Sequence, residues 1–189
     1  MEDFTSKEYF NKLNSTVYKD TNETAIIFDK LLKPKLVDLL GGDVENIENN
    51  KKDKMSMAFD RYAGIDAWLI KGDEGIRGIA SRIQFGNTNW RSFTIRKERE
   101  TGHITEFEKR KYAIEHNWIY PYWIIQAFIS KDKQKILGFA VAKMQDIIEI
   151  INRDLCYERK SGDDQIGKTS FYVIDWDIIK NNNYFLYEE

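Results

Sequence analysis

Residues 63–85, AGIDAWLIKGDEGIRGIASRIQF, read as two extended stretches joined by a turn rich in Gly and Asp at Lys71–Gly75. A period of two sets the faces. On the first stretch Gly64, Asp66, Trp68 and Ile70 share one side and Ala63, Ile65, Ala67 and Leu69 the other. On the second, Gly78, Ala80, Arg82 and Gln84 oppose Ile79, Ser81, Ile83 and Phe85. Alternation extends the first strand back to residue 57, and its partner covers 76–85. This pair puts a sheet at the centre of the fold.

The flanking segments supply the other elements. Residues 5–14 can form a short helix. Ala25, Phe28, Leu32, Leu36 and Leu40 recur near helical spacing over 21–40, with Pro34 as a kink or a second start and Gly41-Gly42 as the stop. Residues 43–54 are polar and hold at most a short strand before an Asn/Lys/Asp loop. A further strand runs over 91–98, closed by Thr101-Gly102. Thr105 and Glu108 form a capping box that opens a helix to about Asn117, with Phe107 and Ile114 inward and Glu, Lys and Arg outward. Strands follow at 122–130 and 135–142, around a turn at Lys131–Lys133. An amphipathic helix carries Met144, Ile147, Ile148, Ile151 and Leu155, then a charged loop covers 156–168. A last strand spans 170–175, and 177–180 turns into a helix or frays. The order predicts an α+β or mixed α/β fold, a central mixed β-sheet flanked by helices, in a single domain of 189 residues.

Composition narrows the function classes. With 42% hydrophobic and 14% aromatic residues the chain buries a core of its own. No stretch approaches the roughly 20 apolar residues of a membrane span. The start, MEDFTSKEYF, lacks the features of a secretory signal, so a cytoplasmic setting with no membrane partner is expected. A single cysteine, Cys156, excludes an internal disulfide and a cysteine zinc cluster. His103 and His116 read as surface or capping residues. The sequence contains no phosphate-binding Walker loop, dinucleotide glycine motif, Ser-His-Asp set or zinc pattern.

Charge is unevenly spread. The net charge is −2, yet residues 77–111 hold nine Lys/Arg against four Glu, a local +5. A basic centre in an acidic chain marks either a polyanion footprint or a solvated face with local ion pairs. Arg91, Arg96, Lys97 and Arg99 on the strand, with Lys109 and Arg110 on the helix, are the candidate contacts to the phosphates of DNA or RNA. Glu98, Glu100, Glu106 and Glu108 supply partners for surface ion pairs in the alternative reading. Trp118, Tyr120, Tyr122, Trp123 and Trp176 are expected in the core.

Asp66 stands out because a carboxylate among apolar strand residues needs a cation, a metal or hydrogen-bond donors. An ion pair with Arg82, backbone donors, a metal, or exposure near the turn would each satisfy it. Gln84 lies near enough along the partner strand to share the site.

An early helix, a strand reading GID66, a turn, a strand with a cationic residue and a following helix resemble the PD-(D/E)XK nuclease superfamily. The resemblance covers about 21–117, with the later strands as outer additions in a nuclease-like core of about 21–142 and a C-terminal helix and strand beyond it. It implies a restriction-endonuclease-like fold, with Asp66 as an Mg²⁺ ligand and Arg82 where that family places its lysine. Ala80, two residues earlier, cannot ligate a metal, and arginine is not a base near neutral pH. Glu23 matches the family's helix acid, and Asp60 is a further candidate metal ligand. The implied functions are Mg²⁺-dependent phosphodiester cleavage, or a non-catalytic phage or mobile-element protein acting on a host protein or nucleic-acid complex.

Overall fold

The computed structural model describes residues 23–47, 55, 59–99, 104–161 and 168–189. The expected helix at 5–14, the loop around 49–54, the Thr101-Gly102 closure and His103 lie outside the described residues.

Residues 23–40 are helical, as the spacing predicts. A π-helical turn at Phe28–Leu32 precedes α1, Lys33–Leu40, with Pro34 in its first turn. Proline lacks an amide hydrogen and its ring crowds the preceding turn, so the wider turn ahead of it relieves the clash. Phe28, Leu32 and Leu36 form the buried stripe. Gly41 and Gly42 end the helix with φ of 71° and 81°. A Cβ on Gly42 would collide with the carbonyl oxygen of Ile70, so glycine is required there on two counts.

The central sheet has six strands. They are β1 (Asp43–Asn46), β2 (Ala67–Lys71), β3 (Gly75–Gly86), β5 (Pro121–Ser130), β6 (Ile136–Lys143) and β9 (Leu186–Glu188), in that spatial order. All neighbours are antiparallel except β3 and β5, which run parallel. A parallel pair needs a crossover, and α2, Glu106–Glu115, lies within it. The mixed sheet flanked by helices makes this an α+β fold, as expected.

A second sheet was not foreseen. β4 (Ser92–Arg99) leaves the central sheet and pairs with β8 (Thr169–Asp175), which also pairs with β7 (Tyr157–Lys160). β7 lies where a charged loop is expected, because all four of its residues are exposed and carry no alternation. β9 also escaped notice, being only three residues long.

The strand expected over 57–70 is shorter than its pattern. Residues Phe59–Ala63 form a helical turn, and Gly64 at φ 66° redirects the chain before β2 begins at Ala67. The alternation nevertheless persists, with Ala63, Ile65, Ala67 and Leu69 all buried. Burial, not strand geometry, set that pattern.

Both faces of the central sheet are covered, which explains the nearly continuous burial of β5. One face presents Ile79, Ile125, Ala127 and Val141 to the helical stripe of Phe28, Leu32 and Leu36. The other presents Ala80, Ile124, Phe128, Ala140 and Ala142 to Phe93 and Ile95 of β4 and to α3, Met144–Asn152. Trp176 opens α4, Trp176–Asn181, and is buried against Phe93 and Phe128. Trp123 is buried as expected, but Trp118 is exposed and stacks edge-on against Tyr112 outside the core. Among the described residues no helix is long and apolar enough to cross a membrane.

Candidate phosphate-binding site

The site lies where β2 parts from β3. Their ladder ends at the Ala67–Ile79 pair, after which β3 runs on without β2. Asp66 sits at this fork. Its backbone amide donates to the Ile79 carbonyl at 2.8 Å, and its own carbonyl accepts from the Ile47 amide at 3.1 Å. Its carboxylate Oδ2 then accepts the Ser81 amide at 2.6 Å, taking over from the missing strand. Asp66 is thereby fixed by backbone on both sides, and it is half-buried.

Beside it opens a cavity of about 400 Å³ between the two sheets and α2. Ala80 and Ile124 line it from the central sheet, Thr94, Arg96 and Arg99 from β4, and Asp60, Gly64 and Asp66 from the loop side. Arg82 enters from β3, and Glu106, Lys109 and Arg110 from α2. The capping box explains the helix wall. Thr105 Oγ1 accepts the Glu108 amide at 3.3 Å, and Glu108 Oε2 accepts the Thr105 amide at 2.8 Å. The helix start is thus fixed with Glu106 facing the cavity. Positions i+3 and i+4 lie on that face, which brings in Lys109 and Arg110. The expectation that every charged residue of α2 points outward therefore fails for Arg110, which is 7% exposed. Its guanidinium packs over Gly64, where a Cβ would lie 3.8 Å from Nε.

Glu106 is the hub of this wall. Arg82 Nη1 is 3.3 Å from its Oε2, Arg96 Nη1 3.5 Å from its Oε1 and Arg110 Nη1 3.9 Å from its Oε2. The Arg96 amide also donates to Oε2 at 3.4 Å, just before the bulge in β4 between Arg96 and Glu98. Burial disfavours the charge on Glu106, but Arg82, then Arg110 and Arg96, outweigh it and hold the carboxyl at about 2. Burial pushes the Arg82 guanidinium below its ordinary value, with Glu106 opposing and Arg96, Arg110 and Arg99 adding to the drop. Burial likewise lowers Lys109, opposed by Asp60 and Glu106 and reinforced by Arg99 and Arg110. The Phe171 ring of β8 lies 4.8 Å from the Arg82 guanidinium carbon and 5.6 Å from that of Arg96, holding both by cation–π attraction.

Of the residues singled out in the sequence, the structure brings Asp60, Asp66, Arg82, Arg96, Arg99, Lys109 and Arg110 to one cavity. Asp60 arrives on the helical turn, not on an uninterrupted strand with Asp66. Four candidates do not line the cavity. Glu23 is paired with Lys133, and Lys97 with Glu158. Arg91 is bound by Asp177 at 3.3 Å and Glu188 at 3.1 Å. Gln84 lies on β3 two residues past Arg82, outside the lining. His116 ends α2, with Nδ1 2.9 Å from the Tyr112 carbonyl oxygen. Glu106, ascribed to a surface ion pair by its sequence, is the residue that reading missed. The spacing Glu106-x-x-Lys109-Arg110 behind a capping box was the available signal.

The Mg²⁺ that the nuclease resemblance implies needs oxygen ligands turned to a common point. Asp60, Asp66 and Glu106 are the carboxylates that line the cavity. Ala80 offers no ligand, Glu106 is engaged by three arginines, and five cations line the same space. Among the described residues no three acidic, His or Cys side chains form a metal-binding group. This donor set fits an anion and does not fit a divalent cation.

Fold and site together define a two-sheet α+β protein with a cationic cavity at the fork of its central sheet. No family model, curated protein or solved structure matches the chain.

Proposed function

We propose that this protein binds nucleic acid, holding backbone phosphate in the cationic cavity on a PD-(D/E)XK-like scaffold that it uses for binding and not for hydrolysis. One observation carries the reading. Arg82, Arg96 and Arg110, drawn from three separate elements, converge on a single carboxylate inside one cavity. Three guanidiniums around one Glu leave positive charge unbalanced, and planar N–H forks suit phosphate oxygens. Of the elements on which the nuclease resemblance rests, Asp66 beside β2, Arg82 on β3 and Glu106, Lys109 and Arg110 on α2 line this cavity, while the Lys71–Gly75 turn does not. A cytoplasmic setting goes with such a ligand.

The test is a binding titration of labelled single- and double-stranded DNA and RNA at several salt concentrations. Affinity is expected to fall steeply with salt, and Arg96→Ala to flatten the slope by about one phosphate contact. Salt-insensitive capture, or none, would reject the reading, and the former would point to a host protein partner.

Mg²⁺-dependent cleavage, which the nuclease resemblance implies, is the reading that the cavity's donor set disfavours. Incubating each polymer with the protein and Mg²⁺ separates the two. Cleavage that Asp66→Ala abolishes would restore a catalytic role, whereas intact substrate that stays bound supports the binding role.

A further inference from the structure

We infer that the cavity takes a terminal phosphate, a phosphomonoester, in preference to the internal phosphodiesters of a nucleic-acid chain. The inference rests on the binding role proposed above and narrows its ligand. It starts from Arg110. This side chain is more than nine-tenths buried, lines the cavity and carries an Nε with no hydrogen-bond partner among the described residues. Its ion-pair contact is the 3.9 Å approach to Glu106, too long for a hydrogen bond. A buried guanidinium with unused donors is costly unless another group completes it. On β4, Arg96 also buries an Nε with no partner among the described residues.

Charge then selects the ligand. Arg82, Arg96, Arg99, Lys109 and Arg110 face Glu106, Asp60 and Asp66 across one cavity, a surplus of two positive charges in a partly buried place. An internal phosphodiester brings one negative charge. A phosphomonoester brings close to two near neutral pH, together with three terminal oxygens able to accept from several guanidiniums. Thr94 Oγ1 does not compete for that place, because its hydroxyl is 3.3 Å from the buried Gln126 Oε1. Shape agrees with charge. A cavity of about 400 Å³ with the buried Ala80 and Ile124 among its lining has room for the end of a chain.

The same chemistry is carried by an oligonucleotide end and by a free mononucleotide, and the experiment separates them. The full chain is titrated with one fluorescent oligonucleotide in three forms, bearing a 5′-phosphate, a 3′-phosphate or hydroxyls at both ends. Adenosine monophosphate and inorganic phosphate serve as competitors. The expected result is about tenfold tighter binding of a phosphorylated form over the hydroxyl form. That preference should vanish in Arg110→Met and be partly kept in Arg110→Lys, and the melting temperature of each variant checks folding. Should Arg110→Met not fold, Arg96→Gln tests the same donors from the strand side. Equal affinity for all three forms would overturn the terminal-phosphate inference while leaving backbone binding intact. Binding of the mononucleotide without any oligonucleotide would uphold the phosphomonoester site and reject the polymer. Binding of none of these ligands would reject both.

Discussion

Replacing Glu106 by Gln removes the one carboxylate shared by Arg82, Arg96 and Arg110 while keeping the shape of the side chain. A carboxyl held at about 2, against an ordinary 4.5, corresponds to roughly 3 kcal/mol of charge-dependent stability at about 1.4 kcal/mol per tenfold. The side chain is 30% exposed, so solvent takes part of that, and the amide keeps an acceptor for the Arg96 amide. A loss of about 2 kcal/mol at pH 7 is the expected outcome, read from urea unfolding of both proteins. The sign with pH follows from a depressed acid. The wild-type advantage is complete above the unfolded value near 4.5 and is lost as pH falls from there toward 2. The two proteins should therefore differ by a constant amount from pH 7 to 5.5 and converge in acid. Polyanion affinity moves the other way, rising in Glu106→Gln because the cavity becomes more positive. Equal stability of the two proteins at pH 7, or weaker polyanion binding by the variant, would refute the account of Glu106 as a hub inside a cationic site.

Other substitutions test the scaffold. Thr105→Ala removes the cap that orients Glu106 and should cost about 1 kcal/mol by chemical denaturation. Gly42→Ala forces a side chain into left-handed backbone and against Ile70, so a loss of about 1–3 kcal/mol is expected in the same assay. Phe128→Ala empties the layer between the sheet and Trp176 and should cost about 3–5 kcal/mol, visible as a marked drop in melting temperature. Arg91→Ala, by contrast, disrupts a cluster with Asp177 and Glu188 away from the cavity, and should leave the salt dependence of nucleic-acid binding unchanged.

The elements with strong local signals were legible. Pro34 and the Gly41-Gly42 pair bounded the first helix, Thr105 and Glu108 opened the second, and the apolar spacing of Met144, Ile147, Ile148 and Ile151 gave the third. What escaped was tertiary in origin. Nothing near β4 says that its partner is β8, some 75 residues later, rather than the strand before it. Residues 59–63 fall within the expected strand but turn helically, and Gly64 permits a change of direction that periodicity does not record. The site was legible as a set of residue types and not as a geometry. Asp66 and Arg82 were found through the oddity of charge on an apolar strand. Glu106 was not, since a Glu at a helix start has an ordinary explanation in the helix dipole.

The distant pairing of β4 has a temporal consequence. During synthesis Ser92–Arg99 leaves the ribosome long before Thr169–Asp175, the strand it bonds to and the source of Phe171 beneath two of the arginines. Until that late segment arrives, the wall bearing Arg96 and Arg99 has no fixed position. Nascent chains therefore complete the cavity wall only once Thr169–Asp175 has emerged, and stalled fragments ending before residue 169 carry the charges without that wall.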